Sequence, residues 1–296
     1  MILAPLRGVT IRCFREVFAE QIRAAGFTEA ITPFVPAMRG YDPLKDRELR
    51  DKGSGIGDQG SGIGDQGSGM RVTPQFIGKD PEALRDCLEQ VKAAGYNTAD
   101  LNCGCPFPMV RRKGRGSGIL RKPDVLRAML EVGCETMGPG KFSMKTRLGV
   151  DRTDELLKLM PMINEFPLRF LTVHARTARQ MYEGRCDWKA AEAIENSARV
   201  PVVRNGDLAC IGASGHRSIR PVMVGRSFIR ELGTRGDARE LLERYIAASQ
   251  TELCGDAPVL GRMKELLSYW KDLPAWKRRW HLVKLCRSVD ELRSVI

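Results

Sequence analysis

The 296-residue chain has no run of about 18 uncharged apolar residues, the minimum a membrane-spanning helix requires. Its first residues do not show the charged-then-apolar layout of a secretory signal. A soluble protein of the cytoplasm with no membrane partner is expected. The chain is also short of acid: 36 Asp and Glu stand against 48 Lys and Arg, a net charge of +12. That balance favours a polyanionic partner, most often nucleic acid. Nine cysteines form no even, repeating framework, which argues against a disulfide scaffold and for reduced thiols. Only three histidines are present, and Cys103 and Cys105 lack a second ligand couple at zinc-site spacing. No metal centre is expected.

What is present points to one large α/β unit. Hydrophobic residues make up 43% of the chain, enough for a sizeable core at this length. Short β-branched or apolar runs recur at residues 2–4, 29–34, 72–77, 98–101, 142–145, 170–173, 201–204 and 221–224. Helical patterns separate most of them. The clearest has Asp80 as N-cap and Pro81 at the first helical position. Leu84, Cys87, Leu88 and Val91 share one face, and Gly95 closes it. Eight strands alternating with helices predict a (β/α)8 barrel, with its site at the carboxyl ends of the strands. Gln75, Asn102, Lys145, His174, Asn205 and Arg226 gather at those ends.

After about residue 235 the strand signals stop. Leu260, Met263, Leu266, Leu267 and Trp270 then mark one helix face, and residues 259–296 carry nine Lys and Arg against four Asp and Glu. Residues 1–235 therefore read as the barrel and 236–296 as a small basic helical domain. Two segments depart from a barrel. Residues 53–69, GSGIGDQGSGIGDQGSG, have the composition of a flexible linker. Residues 208–220, where a helix should lie, hold glycines and little amphipathicity, so that helix is expected to be short or irregular.

Three groups of residues carry chemistry. Leu101-Asn102-Cys103-Gly104-Cys105-Pro106 sets thiols at a strand end, followed by six Lys and Arg without an acid between Arg111 and Lys122. A thiol on such a loop suits a catalytic acid or a nucleophile. Asn205-Gly206-Asp207 and Gly225-Arg226 follow the seventh and eighth strands, where barrels often bind phosphate. Lys145 and Arg147 alternate to one side of the fifth strand, and His174 ends the sixth. Inward cations there suit an electron-rich ring or a phosphate.

With these residues assembled, the chain resembles the tRNA-dihydrouridine synthases. The segments that carry the resemblance are LAPLRGVT, TPQFIG, DLNCGCP, KGRGSGIL, MKTRLG, TVHARTARQMYEG, RNGD and VMVGR, then a helical tail. It implies an FMN-bearing TIM barrel, NADPH as reductant and a uridine of tRNA as substrate. Hydride would pass from flavin N5 to uracil C6, with Cys105 as the acid that protonates C5. The resemblance sets Pro5, Leu6 and Arg7 on the flavin, Gln75, Lys145 and His174 against its ring, and Asn205, Gly206, Asp207, Gly225 and Arg226 at its phosphate. Asn102, Arg147 and Tyr182 would face uracil, while Arg111, Arg112, Lys113, Lys277, Arg278 and Arg279 would meet the tRNA backbone. The segment KELLSYWKDL is most similar to the subgroup acting at tRNA position 16, and a monomer is expected. Two loops depart from the family pattern: its KxxxGA is Lys113-Gly114-Arg115-Gly116-Ser117-Gly118 here, and its GRG is Gly225-Arg226-Ser227. The rival readings are a flavin barrel acting on a free metabolite and a tRNA-binding protein that has lost catalysis.

Overall fold

The computed structural model describes residues 1–49, 70–209 and 221–296, so the segments read as a linker (53–69) and an irregular helix (208–220) fall wholly or almost wholly outside the described residues. Eight parallel strands close into a barrel: β1 (Ile2–Leu3), β2 (Glu29–Ile31 and Val35–Pro36), β3 (Arg71–Thr73 and Gln75–Ile77), β4 (Ala99–Cys103), β5 (Phe142–Gly149), β6 (Leu171–Thr177), β7 (Val202–Asn205) and β8 (Val222–Val224). Each strand pairs with the next, and Ile2 opposite Met223 closes the ring between β1 and β8. Pro74 interrupts β3 because it has no N–H to give the ladder, yet its carbonyl still accepts from Asp100 N at 2.8 Å. All eight strand positions read from the sequence are occupied by strands.

Several run further than their apolar signal. β4 continues through Asn102 and Cys103, which pair in register with Lys145 and Thr146. Cys103 is thus a strand residue and not a loop residue as the sequence suggested. The ladder to β5 holds it, and polar side chains are tolerated because they line the barrel interior.

Side-chain alternation sorts the strands into two faces. Ile2, Ala4, Ile31, Phe170, Val203 and Met223 form one apolar cluster. Thr73, Asp100, Ser143, Thr172 and Asn205 are polar strand residues that are also buried. Outward residues Leu101, Cys103, Phe142, Met144, Leu171 and Val173 pack under α3 (Pro81–Ala93), α5 (Pro123–Met137), α6 (Glu155–Ile163) and α7 (Trp188–Ser197). α3 starts as its sequence dictates: the Asp80 carboxylate accepts from Glu82 N at 3.1 Å and Ala83 N at 3.5 Å, with Pro81 at the first position.

The opposite flank is built differently. α1 (Arg12–Val17), α2 (Ala19–Ala24) and α8 (Arg226–Leu232) share one apolar cluster with α9 (Ala238–Glu252), α10 (Asp256–Ser268), α11 (Pro274–Lys277), α12 (Trp280–Leu285) and α13 (Val289–Val295). Trp270, fully buried, donates its indole N–H to Ile229 O at 2.6 Å, and Trp276 donates to Gly233 O at 2.8 Å. The tail helices complete the barrel's own core. Among the described residues no helix is long and apolar enough to cross a membrane.

Candidate active site

A cavity of about 1210 Å³ opens at the carboxyl ends of the strands. Asn102 from β4, Lys145 and Arg147 from β5, His174 from β6 and Asn205 from β7 form its floor, with Ala4, Pro5, Leu6 and Arg7 following β1. The tail supplies the facing wall through residues such as Arg262, Glu265 and Tyr269 of and beside α10.

Of the residues singled out in the sequence, Pro5, Leu6, Arg7, Asn102, Cys105, Lys145, Arg147, His174, Tyr182, Asn205, Gly206, Gly225 and Arg226 line this one space. Eight others do not. Gln75 is fully buried, one layer beneath the floor. Asp207 is not among the lining residues and pairs with Arg176 and, at 2.7 Å, with Arg226. Arg111 and Arg112 end the short helix α4 (Pro108–Arg112) beside the mouth, with Lys113 next in the chain. Lys277, Arg278 and Arg279 lie exposed on the tail.

The thiol loop rests on a chain of buried hydrogen bonds. Ser143 Oγ donates to Asp100 at 2.6 Å, and Gln75 Nε2 donates to the other Asp100 oxygen at 2.8 Å. Gln75 Oε1 accepts from Asn102 Nδ2 at 2.8 Å. Asn102 Oδ1 then accepts from the N–H groups of Gly104 (3.1 Å) and Cys105 (2.9 Å). With every partner fixed, Asn102 has one orientation, and its remaining amide hydrogen is free for a ligand. Burial pushes Asp100 up to about 6, against the hydrogen bonds from Ser143 and Gln75 that favour its charge. From behind, Ser117 N and Oγ donate to Cys105 O at 3.1 and 2.9 Å. Gly116 at φ +55° touches the same turn, and a Cβ there would lie 2.7 Å from Cys105 Cβ. This is what the KGRGSG stretch does.

The two thiols have different surroundings. Cys103 is completely buried among apolar residues, and burial raises it well above the ordinary thiol value. Cys105 faces the cavity. Burial raises its pKa too, opposed by the Phe107 N–H and by Arg147, Arg7 and Lys145. It is a thiol, holding a proton, at neutral pH.

Cations dominate the floor. Lys145 has no hydrogen-bond or ion-pair partner among the described residues. Burial, then Arg147, pushes its ammonium down to about 8. Arg147 is clamped by the carbonyls of Gly104 (3.0 Å), Thr177 (2.9 Å) and Met181 (2.6 Å). Burial lowers it to about 10, still charged at neutral pH. Met181 is the one non-glycine with positive φ (+51°) among the described residues. It leads into Tyr182, whose ring lies under both Arg147 (5.2 Å) and Arg226 (5.1 Å). His174 Nε2 sits 3.3 Å from Arg176 Nη1, which can only donate, so the ring is neutral with its proton on Nδ1. Burial first, then Arg147, Lys145 and Arg176, holds its pKa well below the ordinary value.

Sequence reasoning passed over Asp100, Arg176, Phe107 and Tyr269. Asp100 carries a signal, being a carboxylate two residues before Asn102 on the same inward face. Arg176 likewise follows His174 by two.

Comparison with known proteins gives the family and the fold. A family model described as dihydrouridine synthase matches residues 2–231. The chain is 27% identical over 209 residues to tRNA-dihydrouridine synthase B of Vibrio vulnificus, covering 70% of this chain and 60% of that protein. It is 30% identical over 195 residues to a probable tRNA-dihydrouridine synthase of Staphylococcus aureus, covering 66% and 55% respectively. The matched region thus spans 55–60% of these relatives' length. An old yellow enzyme homologue from Zymomonas mobilis shares the fold, with a TM-score of 0.51 and 12% identity over 78% of this chain and 85% of that one.

Proposed function

The chain belongs to the dihydrouridine synthase family, and from that premise we propose that it reduces a uridine of tRNA to 5,6-dihydrouridine, with FMN as prosthetic group and NADPH as reductant. The observation that carries this reading is the convergence, in one cavity, of a protonated thiol at Cys105 with the unpartnered cation of Lys145 and the neutral His174.

The donor set suits a flavin phosphate ester. A buried ammonium without a partner is costly unless an anion or electron-rich ring meets it. Asn205, Gly206, Gly225 and Arg226 stand together where β7 and β8 end. α8 begins at Gly225 without a side-chain cap, leaving its first N–H groups for a phosphate. A Cβ at Gly225 would come within 3.0 Å of Ala4 Cβ and close this corner. Asp207, paired with Arg226, positions that arginine instead of meeting the phosphate. Pro5, Leu6 and Arg7 offer the surface for the ring, with Lys145 and His174 opposite. Gln75, bonded to Asp100 and Asn102, acts through Asn102.

Bound FMN would supply a hydride to uracil C6. The chain's own residues do the rest. Cys105 gives its proton to C5, and its raised pKa keeps that proton available through neutral pH. Arg147, Lys145 and the free Asn102 amide hydrogen stabilise charge developing on the uracil carbonyls. Tyr182, 41% exposed at the mouth, meets the base as it enters. A uridine reaches this floor only when splayed from its stack. The half-buried Arg111 and the exposed Arg112 and Lys113, with Lys277, Arg278 and Arg279 of the tail, take tRNA phosphates. In this reading residues 1–235 hold the chemistry and 236–296 add a tRNA-binding surface, although the two share a core.

The test is to purify the protein, reduce it with NADPH without oxygen, add tRNA lacking dihydrouridine, and analyse digested nucleosides by mass spectrometry. Dihydrouridine at one mapped position supports the reading, and position 16 would support the subgroup suggested by the tail. A flavin reoxidised by free pyrimidines and not by tRNA favours the metabolite reading. A colourless protein that binds tRNA leaves only the binding reading.

A further inference from the structure

Seven large apolar side chains are exposed among the described residues, and three of them, Phe107, Met109 and Tyr182, line the same cavity. Phe107 is 50% exposed and Met109 79% exposed. Scattered apolar side chains on a surface need no explanation, but a group around one reactive thiol does. Neither is loosely held at its backbone. Pro106 and Pro108 flank Phe107, whose carbonyl accepts from Val110 N and Arg111 N, both at 3.0 Å. Two residues of chain span at most about 7 Å, so whatever packs on Phe107 adjoins whatever reacts at Cys105.

The surroundings specify what that is. Arg111, Arg112 and Lys113 follow within one turn, none with an ion-pair partner among the described residues, and no acid occurs between Asp100 and Asp124. An apolar ledge bordered by uncompensated cations has the chemistry of a base beside its phosphates. Extracting a nucleotide also leaves the neighbouring base with an unstacked face. Resting on the functional reading above, we infer that Phe107 and Met109 form a ledge that stacks the nucleobase flanking the extracted uridine, with Arg111, Arg112 and Lys113 on the adjoining phosphates. Phe107 supplies a flat face, and Met109 an adaptable edge suited to different bases.

The experiment uses the full-length holoprotein and a tRNA with 2-aminopurine in place of the flanking base, titrated at several salt concentrations. Wild type should bind it with a change in 2-aminopurine emission. Phe107→Ala should raise Kd roughly 10- to 100-fold, as expected on losing one base–aromatic stack, and abolish the emission change. Its salt dependence should match wild type, because no charge is removed. Phe107→Trp should restore both affinity and emission, whereas Phe107→Leu should not. Leu285→Ala, which trims an apolar side chain 72% exposed elsewhere, should change neither. Wild-type emission and affinity in Phe107→Ala, or full rescue by leucine, would overturn the ledge while leaving the tRNA reading intact. A wild-type protein that does not bind the tRNA at all would overturn the functional reading itself.

Discussion

Replacing Lys145 should separate what this side chain costs the fold from what it gives the site. Its ammonium sits on the cavity floor with no partner among the described residues, and burial and Arg147 move it from an ordinary 10.5 down to about 8, with Asp100 and Cys105 pulling the other way. A shift of that size corresponds to a penalty on the order of 3 kcal/mol at most for keeping the charge in the folded, cofactor-free protein. Below pH 8 both folded and unfolded chains hold the proton, and the full penalty applies. Between about 8 and 10.5 the unfolded chain binds more protons than the folded one, so stability rises with pH and the penalty fades. Lys145→Met removes the group. Urea denaturation of protein stripped of cofactor should therefore find the variant more stable than wild type at pH 7, by up to about 3 kcal/mol. The two curves should converge as pH rises from 8 toward 10.5. Added FMN should reverse the order, since an anionic or electron-rich ligand stabilises the cation only in wild type. Parallel stability curves, or a variant weaker than wild type at pH 7 without cofactor, would refute the argument that an unpartnered cation waits there for a ligand.

Arg226→Ala should weaken FMN retention by roughly 1.5–3 kcal/mol, the range of a charge-assisted hydrogen bond; equilibrium dialysis showing unchanged affinity would move the phosphate away from the β7 and β8 ends. Trp270→Ala should cost about 3–5 kcal/mol in chemical denaturation, because removing the fully buried ring leaves a cavity and breaks its bond to Ile229 O. For the same reason a chain cut at residue 235 should not fold, and a soluble, cooperatively melting 1–235 fragment would contradict the shared core. Neutralising Arg111, Arg112 and Lys113, or Lys277, Arg278 and Arg279, should flatten the log–log salt dependence of tRNA binding by roughly 0.7–0.9 for each phosphate left without its cation. An unaltered slope after the second set of changes would exclude the tail surface from the RNA site.

The barrel was legible because its strands are short apolar runs punctuated by turn residues, and because buried parallel strands need little else. Their far ends were not. β4, β5 and β6 continue through Cys103, Gly149 and Thr177, where inward polar residues break the apolar signal but keep the ladder. Alternation and the strand end together distinguish the thiols: Asn102 faces inward, so Cys103 faces outward with Leu101, while Cys105 lies past the strand and is free of that alternation. The floor of the site was read residue by residue from strand ends. Its support was not, since the chain from Ser143 through Asp100 and Gln75 to Asn102 joins side chains 25 to 43 residues apart. In the tail, periodicity shows that Leu260, Met263 and Leu267 share a face. It does not show that this face joins one apolar cluster with residues of α1 and α8 of the barrel.

Cys105 as the proton donor in tRNA reduction is tested most directly by single-turnover reoxidation of NADPH-reduced protein by unmodified tRNA. Wild type should reoxidise and form dihydrouridine. Cys105→Ala should bind FMN and accept electrons from NADPH yet react with tRNA roughly 10²–10⁴-fold more slowly, the span of general acid catalysis. Cys103→Ala, altered in the apolar layer behind the strand, should react at close to the wild-type rate. If Cys103→Ala were the slower variant, or if Cys105→Ala reduced tRNA as fast as wild type, the assignment would be wrong.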